Sequence, residues 1–324
     1  MVALVPLVLG TLLVETASAA HVSCGQTITQ NTTLDSDVGP CTGTGITVGA
    51  NNITLDLGGR TVFARAPQTG EGAGILVQGR TGVTVRNGRV ILFDAGVVIA
   101  GGSNNTVTNI VAQDNRGTRA TDFGDGIAVF GSSNNVIRRN RAQRNGPFSG
   151  ISLVGNSDNN LVDNNTVQGN NVESSPAVMD DIGIRVEGPG VNGNIVSNNK
   201  VEGNGLDGIQ IFPFAANTDN VVRRNTIRGN GFHNKAHRTG NGFVTGARSN
   251  LIEANLAERN AASGIRINGT NNTIRNNTAR NNAQLVNPGT IAAGGAFDLH
   301  DTTFNCDNNV WTNNTGNRNQ PCIG

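Results

Sequence analysis

The chain has 324 residues, enough for one large domain or two ordinary ones. Only 15% of the residues are charged and the formal net charge is +1, with no block of like charge, which argues against nucleic acid or an anionic membrane as a partner. Aromatic residues make up 4% and Gly contributes 44 residues, a composition that excludes an ordinary helical domain. The core must therefore consist of small and branched aliphatic side chains.

The N-terminal segment differs in character from the rest of the chain. An apolar run over Val2–Val14 is followed by the small-x-small pattern of Ala17–Ala19. This arrangement is typical of a secretory signal peptide and is too short for a membrane-spanning helix. We therefore expect a signal peptide over residues 1–20, a single domain over residues 21–324, and a secreted or periplasmic protein. No later segment reaches 18 consecutive apolar residues, so no membrane span is expected.

Four cysteines lie near the two ends of the mature chain. Cys24 and Cys41 bracket its start, whereas Cys306 and Cys322 bracket its end. Two local pairs predict two disulfides, because a metal site would need all four thiols to converge. The other two pairings would have to join opposite ends of the molecule.

A short repeat runs through most of the chain. Its unit is Asn-x-Val/Ile-x-x-Asn, and a third Asn commonly follows five residues later. The unit begins at seven positions, with weaker copies before them: Asn135, Asn160, Asn194, Asn220, Asn250, Asn272 and Asn309. Most units continue with Gly, an apolar residue, any residue and a second apolar residue, as in Gly183–Val186.

This repeat predicts a parallel β-helix. The shortest unit, from Asn250 to Asn272, spans 22 residues and holds three period-2 segments. Helical repeats need about 33 residues and a period of 3.6. Alternate Val and Ile face a narrow interior, and the turn Asn residues adopt the left-handed conformation and hydrogen-bond from coil to coil. We predict a right-handed, all-β parallel β-helix of about ten coils, with caps at residues 21–45 and 300–324 and with Trp311 filling the last coil.

The first coils and the repeat together carry a family resemblance. The residues that carry it are Cys24–Ile28, Cys41 and Asn52–Leu57, followed by the Asn-x-Val/Ile coils. On these residues the chain resembles secreted right-handed β-helix repeat proteins of the pectin-lyase-like superfamily. The resemblance covers the whole mature chain and implies the fold. It leaves the chemistry open, because the superfamily includes polysaccharide lyases, hydrolases, epimerases, binding proteins and copper-site maturation proteins.

Loops of unequal length follow the third Asn of each coil. The loops between Asn170 and Gly183 and between Asn230 and Gly242 contain 12 and 11 residues, but the loop between Asn204 and Gly208 contains only 3. Long and short loops alternate at one corner of the predicted rod. This alternation predicts a lateral wall with notches, where binding residues are commonly found.

The middle notch holds the candidate catalytic residues. Arg185 is expected to lie outward on the notch floor, and Asp181 and Asp207 approach the same strand from adjacent coils. An Arg can neutralise a uronate carboxylate while a base removes the adjacent proton. Alternatively, two carboxylates can hydrolyse a glycosidic bond. We therefore take Asp181, Asp207 and Arg185 as candidate catalytic residues.

Further residues around this notch are candidate substrate contacts: Gln210, Arg266, His233, His237, Phe212 and Phe214. The two Phe rings are expected to stack on sugar faces. Each candidate also has a purely structural interpretation. An Asp before a turn Gly caps the turn, and outward Arg residues form a solvated ladder. Two further acidic groups compete as sites, Asp122 with Asp125 and Asp298 with Asp301 and His300.

Specific active-site motifs of the superfamily do not occur in this sequence. The Gly-His-Gly motif of polygalacturonases and the Asp-Pro-His motif of alginate epimerases are absent. A pectate-lyase calcium site needs several acidic side chains on one strand face, and the outward residues expected here are not acidic. We therefore expect no metal and no other cofactor, and calcium binding is unsupported.

Two functions remain open from the sequence. The first is a secreted protein that binds a polysaccharide or cell-surface glycan along the loop wall. If it is an enzyme, it processes this glycan as a lyase, an epimerase or a glycoside hydrolase. The second is a non-catalytic extracellular binding or structural scaffold that uses the same wall. In both cases we expect a monomer.

Overall fold

The computed structural model describes residues 19–65, 72–117, 124–170, 182–214, 217–232, 240–283 and 295–324. Within these residues the chain forms 31 β-strands and one turn of 3-10 helix at Phe304–Cys306. Most of the predicted signal peptide lies outside the described residues. Its last two residues, Ala19–Ala20, form a strand that pairs with Thr33 and Leu34.

The strands are short and follow one another with little irregular structure between them. The N-terminal coils contain β1 (Ala19–Ala20), β2 (Gln26–Ile28), β3 (Thr32–Leu34), β4 (Val38–Cys41), β5 (Ile46–Val48), β6 (Thr54–Asp56), β7 (Thr61–Ala64), β8 (Ala73–Thr81), β9 (Thr84–Ile91), β10 (Ala95–Ser103) and β11 (Thr106–Gln113). The middle coils contain β12 (Ile127–Phe130), β13 (Val136–Arg138), β14 (Arg141–Gln143), β15 (Ser149–Val154), β16 (Leu161–Asp163), β17 (Thr166–Gln168), β18 (Ile182–Glu187), β19 (Ile195–Ser197), β20 (Lys200–Glu202) and β21 (Ile209–Ile211). The C-terminal coils contain β22 (Val221–Arg223), β23 (Thr226–Arg228), β24 (Phe243–Thr245), β25 (Leu251–Glu253), β26 (Leu256–Glu258), β27 (Ile265–Ile267), β28 (Thr273–Arg275), β29 (Thr278–Arg280), β30 (Leu299–Asp301) and β31 (Val310–Thr312).

Each strand pairs in parallel with its equivalent in the next coil. Sheet 1 contains the eleven strands β2, β5, β8, β10, β12, β15, β18, β21, β24, β27 and β30. The other twenty strands are linked into one continuous sheet that forms the remaining two faces of the rod. The chain is therefore an all-β parallel solenoid, as predicted. About eight turns carry the regular Asn repeat, and the coil count differs slightly from the ten expected.

The interior is built from the recurring aliphatic side chains. One column runs through Ile137, Val162, Val196, Val222, Ile252 and Ile274, each at most 1% exposed. Trp311 continues this column in the last coil, where it pairs in register with Ile274. Its indole Nε1 donates to Asp301 Oδ2 at 2.8 Å. The prediction that Trp311 fills the last coil is confirmed.

Buried Asn side chains form three ladders at the corners of the rod. Asn199 shows the pattern, since its backbone N and its Nδ2 both donate to Asn225 Oδ1, at 2.9 and 3.0 Å. Its own Oδ1 accepts the same pair of bonds from Asn165, at 2.9 and 3.0 Å. The Nδ2 also donates to the carbonyl oxygen of Val162 at 2.9 Å. Each ladder amide is thus satisfied by the coils on either side.

The left-handed turn residue is not the ladder Asn, so that part of the prediction was wrong. Arg139 and Arg144, with φ of 56° and 54°, precede Asn140 and Asn145 in the chain. The ladder Asn begins the next strand with its side chain directed inward, so the residue before it must turn the corner. Its side chain faces away from the ladder, and Arg, Ser or Ala therefore also occur at this position.

The Gly of Gly-Ile-x-Val is required by close contact and not by its backbone angles. A Cβ at Gly208 would lie 2.6 Å from the carbonyl oxygen of Gly242 and 2.8 Å from Asn230 Nδ2. The third Asn ladder occupies this corner, so no side chain fits beside it. The Gly therefore brings sheet 1 close to the ladder.

Both predicted disulfides are present. Cys24 is bonded to Cys41 with a Cα–Cα distance of 5.4 Å, and Cys306 to Cys322 with 6.1 Å. Each closes a short loop at one end of the solenoid, where a sheet edge would otherwise be free to pair with another chain. They belong to the end caps, as expected.

Replacement of a ladder residue tests this account of stability. Asn199→Ala removes four hydrogen bonds and leaves the Asn165 N–H and the Val162 carbonyl buried without their partner. We expect the free energy of unfolding in urea to fall by about 3 kcal/mol or more. Asn317→Ala changes an exposed amide outside the ladders and should alter it by less than about 0.5 kcal/mol. Equal effects of the two variants would contradict a stabilising role for the ladder.

Candidate functional site

The outward residues of sheet 1 stack in one column because the register is unbroken from β12 to β30. The outward column consists of Ala128, Ser152, Arg185, Gln210, Val244, Arg266 and His300. Arg185 and Gln210 are direct neighbours and Arg266 lies two coils further, as predicted. With about 4.8 Å per coil, Arg185 and Arg266 are separated by about 14 Å along the rod.

The N-terminal part of this face is apolar. Ala73, Ala95, Val98 and Ala128 form a buried cluster there, with Phe130 packed against it. Ser152, in the next coil, is the first residue of the column after this cluster that carries a polar side chain. The polar part of the face therefore begins at β15 and continues toward the C-terminal end.

Asp125 lies at the start of this polar part, two residues before β12 begins at Ile127. Its side chain is wholly buried, and its Oδ1 accepts the backbone N–H of Ser149 at 3.0 Å. Burial raises the pKa of Asp125 to about 6, although Arg185, the Ser149 N–H and the Ser152 hydroxyl act in the opposite direction. A carboxyl group of this kind exchanges its proton close to neutral pH.

Arg185 is held beside Asp125 by two contacts. Its Nη1 forms an ion pair with Glu187 Oε2 at 2.8 Å, and its guanidinium lies over the ring of Phe148, 5.1 Å from the centroid. The side chain is only 6% exposed, whereas an outward Arg on a solvated ladder would be largely exposed. Arg185 is therefore a positioned cation and not part of a surface charge ladder.

Several buried polar atoms on this face have no hydrogen-bond partner among the described residues. They are Asp125 Oδ2, Ser149 Oγ, Ser152 Oγ, Arg185 Nε and Gln210 Oε1. The Ser152 hydroxyl is near enough to lower the pKa of Asp125, but the two groups do not meet in hydrogen-bond geometry. Only two other such atoms occur in the described ranges, Arg80 Nε and Glu202 Oε1, and the second lies 2.5 Å from the Arg228 guanidinium in an ion pair. The unpartnered atoms thus concentrate on one face.

A second polar group lies toward the C-terminal end of the same face. Asp207 Oδ1 accepts both the backbone N and the Nδ2 of Asn241, at 2.6 and 2.9 Å. Burial raises the pKa of Asp207 to about 6, and Arg266 acts against this rise. Burial and Arg266 lower the pKa of His300 to about 4, so its ring is neutral at pH 7. His300 Nδ1 lies 3.1 Å from Ser263 Oγ.

The other predicted site residues are placed differently. Asp181, His233 and His237 lie outside the described residues. The predicted proximity of Asp181 to Asp207 therefore stays a prediction. Phe212 is half-buried and Phe214 is exposed, just after β21, where the Phe214 N–H donates to the Phe212 carbonyl at 2.9 Å. The described part of the notch therefore retains Arg185, Asp207, Gln210 and Arg266 on one face.

Sequence reasoning named Asp125 only as a competing site and assigned no site role to Ser149, Ser152 or Glu187. One signal was visible, because Asp125–Ile127 and Asp207–Ile209 share the pattern Asp-Gly-Ile at the start of a sheet 1 strand. The pattern places both carboxyl groups at equivalent positions, three coils apart. It does not reveal how many hydrogen-bond donors reach each carboxyl group.

Within the described ranges, no group of three or more His, Cys, Asp or Glu side chains is arranged to hold a metal ion. The described residues include no helix that is long and apolar enough to cross a membrane. The face is thus characterised by its two carboxyl groups, two Arg side chains and unpartnered hydroxyl and amide groups.

Comparison with known families identifies the repeat. The family model described as the right-handed beta helix region matches residues 22–218 and 183–321. The chain belongs to this family. The solenoid is therefore right-handed, as predicted, and the match covers nearly all of the described coils. A search of curated proteins found no relative with significant similarity.

Solved structures with the same fold are distant in sequence. DFA-IIIase from Arthrobacter chlorophenolicus, solved without its lid, is 13% identical with a TM-score of 0.61, and the match covers 87% of this chain and 70% of that one. The A-module of the mannuronan C-5 epimerase AlgE4 from Azotobacter vinelandii is 14% identical with a TM-score of 0.52, covering 92% and 86%. The Dettilon tailspike protein is 16% identical with a TM-score of 0.60, covering 88% and 55%. At these identities the likeness concerns the fold.

The buried Asp125 carboxyl predicts a specific pH dependence of stability. The folded chain keeps the Asp125 proton up to a pKa of about 6, whereas the unfolded chain loses it near the ordinary value of 3.8. Through this group, the fold is more stable below pH 4 than at neutral pH. The contribution is lost as the pH rises through 6. Asp125→Asn should be more stable than the wild type at pH 7.5 by up to about 3 kcal/mol, with a smaller difference at pH 4.

Urea unfolding at both pH values measures this difference. Glu253→Gln alters an exposed ion pair with Arg275 and should change the free energy of unfolding by less than about 1 kcal/mol. An Asp125→Asn variant that is less stable than the wild type at pH 7.5 would show that the carboxylate is well solvated or fully paired.

Proposed function

We propose that the outward face of sheet 1 binds a carbohydrate polymer. The observation that supports this most directly is the group of five buried polar atoms without partners, at Asp125, Ser149, Ser152, Arg185 and Gln210. A buried polar atom left unpaired costs about 1–3 kcal/mol. Such a concentration in one place is typical of a binding surface whose hydrogen bonds are completed by a ligand.

The chemistry of these atoms is complementary to sugar hydroxyl groups. Asp125 Oδ2 and Gln210 Oε1 accept hydrogen bonds, Arg185 Nε donates one, and the hydroxyl groups of Ser149 and Ser152 do either. A ligand must therefore offer donors and acceptors a few ångströms apart. Neighbouring hydroxyl groups on a sugar ring do so, since each of them both donates and accepts.

The shape of the face favours a polymer over a single sugar. From Ser152 to His300 the outward column is polar except at Val244, over five coil steps or about 24 Å. Gln210 and Arg266 are only half-buried, so the face is open to solvent along part of this length. The solved structures of similar fold agree with this proposal, because a mannuronan epimerase and a DFA-IIIase occur among them.

The cellular location follows from the disulfides. Cys24–Cys41 and Cys306–Cys322 need an oxidising compartment to form and persist. One structure of similar fold, an alginate epimerase, is described as periplasmic. We therefore place the chain outside the cytoplasm, in the periplasm or the extracellular space. Its cleaved signal peptide, its monomeric state and a cell-surface glycan as its partner stay predictions.

A non-catalytic binding scaffold is the second candidate function. The observation that favours it is the Asp207 carboxyl, whose Oδ1 is occupied by two donors from Asn241 in the manner of the Asn ladders. At this position the face uses a carboxylate to join coils. Binding without turnover along the whole face would then be the full activity.

A glycan array followed by calorimetry tests the binding proposal. The probes are mannuronan oligosaccharides, DFA-III and a general polysaccharide set, applied to the full chain. We expect at least one glycan to bind, and Arg185→Gln and Gln210→Ala to weaken its binding roughly 10-fold to 100-fold, as expected for losing one hydrogen bond in a desolvated site.

Arg275→Gln serves as the matched control, because this exposed Arg lies on another face and its side chain pairs with Glu253. It should leave the Kd unchanged within threefold. No binding to any probe, or an equal loss in the Arg275→Gln and Arg185→Gln variants, would contradict the proposal.

A further inference from the structure

We propose that a second face of the rod, called face 2, binds a second copy of this chain, with the two rods antiparallel and β19 on the two-fold axis. Face 2 consists of the outward residues of β11, β13, β16, β19, β22, β25 and β28, which pair in register. These strands are not part of sheet 1, so the proposal does not depend on carbohydrate binding. The monomer expected from the sequence took no account of this face.

The first residue of each face 2 strand contributes to an apolar stripe on the outside of the rod. Five consecutive coils place a half-buried aliphatic side chain there, and a Thr follows at either end. In chain order the column is Thr106, Val136, Leu161, Ile195, Val221, Leu251 and Thr273. The five aliphatic residues extend over about 19 Å of the rod. A contiguous apolar stripe on an outer surface is typical of an interaction site.

The apolar stripe is symmetric about Ile195. When Ile195 lies on the two-fold axis, Val136 of one copy is opposite Leu251 of the other. Leu161 is likewise opposite Val221, so each larger side chain meets a smaller one. A two-fold interface requires this self-complementarity, because the same surface is used by both copies. Both rods have the same spacing of about 4.8 Å per coil, so the pairs stay aligned along the stripe.

The last residue of each face 2 strand contributes to a charged column with the same centre of symmetry. From β13 to β25 this column is Arg138, Asp163, Ser197, Arg223 and Glu253. With Ser197 on the axis, Arg138 of one copy is opposite Glu253 of the other. Asp163 is opposite Arg223 in the same way. Within the described ranges neither Arg makes an ion pair in its own chain, so each is available to the second copy.

The charges also select one register of the two copies. A shift of one coil in one direction places Arg138 opposite Arg275, and Asp163 opposite Glu253. A shift in the other direction places Arg138 opposite Arg223. Like charges in an interface repel each other and disfavour both shifted registers. The register that aligns the apolar stripe is therefore also the one that opposes unlike charges.

The turn before each face 2 strand has its smallest residue at the axis. Gly193 occupies this left-handed position beside β19, where neighbouring coils carry Asn159 and Asp219. Because Gly193 has no side chain, the two copies can approach closely at the centre. Asn159 of one copy is opposite Asp219 of the other, and an amide can donate to a carboxylate there.

The C-terminal half of face 2 is concave, with a surface groove of about 460 Å³. Val221 and Leu251 line this groove together with Asp219 and Arg275. In the antiparallel pair Leu161 of the second copy lies opposite Val221, the smaller of the two aliphatic residues. The N-terminal half of each copy therefore faces the recess of the other, and the fit is made twice.

The size of face 2 indicates how strong the association is. Six coil steps of about 4.8 Å and about five residues of ~3.3 Å describe a patch of roughly 29 Å by 16 Å on each copy. Two such patches bury roughly 900 Å² in total, close to the ~1,000 Å² of a small specific interface. We therefore expect a reversible dimer with a Kd in the micromolar range.

Sedimentation equilibrium of the full chain tests the proposal, at concentrations from about 1 to about 200 µM, which span the affinity of a small interface. The wild type should change from one chain per particle to two over this range. Ile195→Lys places two cations opposite each other on the axis, so we expect the dimer Kd to rise at least 100-fold. Leu256→Lys is the matched control, because Leu256 is half-buried at the first position of β26, on the adjacent face. Its dimer Kd should stay within threefold of the wild type.

Chemical cross-linking tests the register and does not depend on the Lys variants. The four cysteines of the chain form the two disulfides, so Ile195→Cys introduces a single free thiol. Sheets packed face to face lie about 10 Å apart, which brings two thiols on the axis within reach of a short bismaleimide. We expect Ile195→Cys to give a covalent dimer and Leu256→Cys to give none.

Three results would overturn the proposal. The first is a wild type that remains a single chain at the highest concentration. The second is an equal effect of Ile195→Lys and Leu256→Lys on the dimer, with circular dichroism showing that both variants are folded. The third is a dimer whose Ile195→Cys variant does not cross-link, since the axis would then lie elsewhere.

Discussion

The structure depends on hydrogen bonds that pass from one coil to the next through buried Asn side chains. A ladder residue such as Asn199 finds its partners only in the neighbouring coils, at Asn165 and Asn225. Slippage of one coil by a single residue would leave these amides unsatisfied in an apolar interior, which strongly disfavours any other register. Residues that are more than twenty positions apart in the chain are thereby fixed side by side, and the outward column of sheet 1 is a direct consequence.

A scaffold of this kind tolerates groups that destabilise it locally. The three ladders and the aliphatic columns distribute stabilisation over many coils, so one face can retain unpaired buried atoms and a carboxyl group with a raised pKa. Natural proteins keep such groups where binding or catalysis needs them. The polar part of the outward column, from Ser152 onward, is the region of the described rod that best fits this description. Several charged side chains on the other faces pair with one another, as Arg275 does with Glu253.

Much of the fold could be predicted from the sequence because each coil repeats the same residue types in the same order. The Asn and Val/Ile spacing correctly predicted the parallel solenoid, the neighbourhood of Arg185 and Gln210 and the place of Trp311. The positions of the four cysteines correctly predicted the two disulfides. The site could be predicted only in part. Asp125 and Asp207 share one local pattern, and they differ in how many donors reach each carboxyl group, which depends on contacts between coils. The left-handed turn was assigned to the ladder Asn, but the residue before it makes the turn. That residue is often itself Asn, as at Asn134 and Asn198, so residue type alone does not separate the two positions.

Carbohydrate binding along sheet 1 can be observed in a high-resolution structure of crystals soaked with an oligosaccharide. We expect the sugar to lie along sheet 1, with hydroxyl oxygens within hydrogen-bond distance of Asp125 Oδ2, Arg185 Nε and Gln210. A ligand on another face, or ordered water molecules that satisfy all of these atoms and remain in place when the glycan is bound, would contradict it.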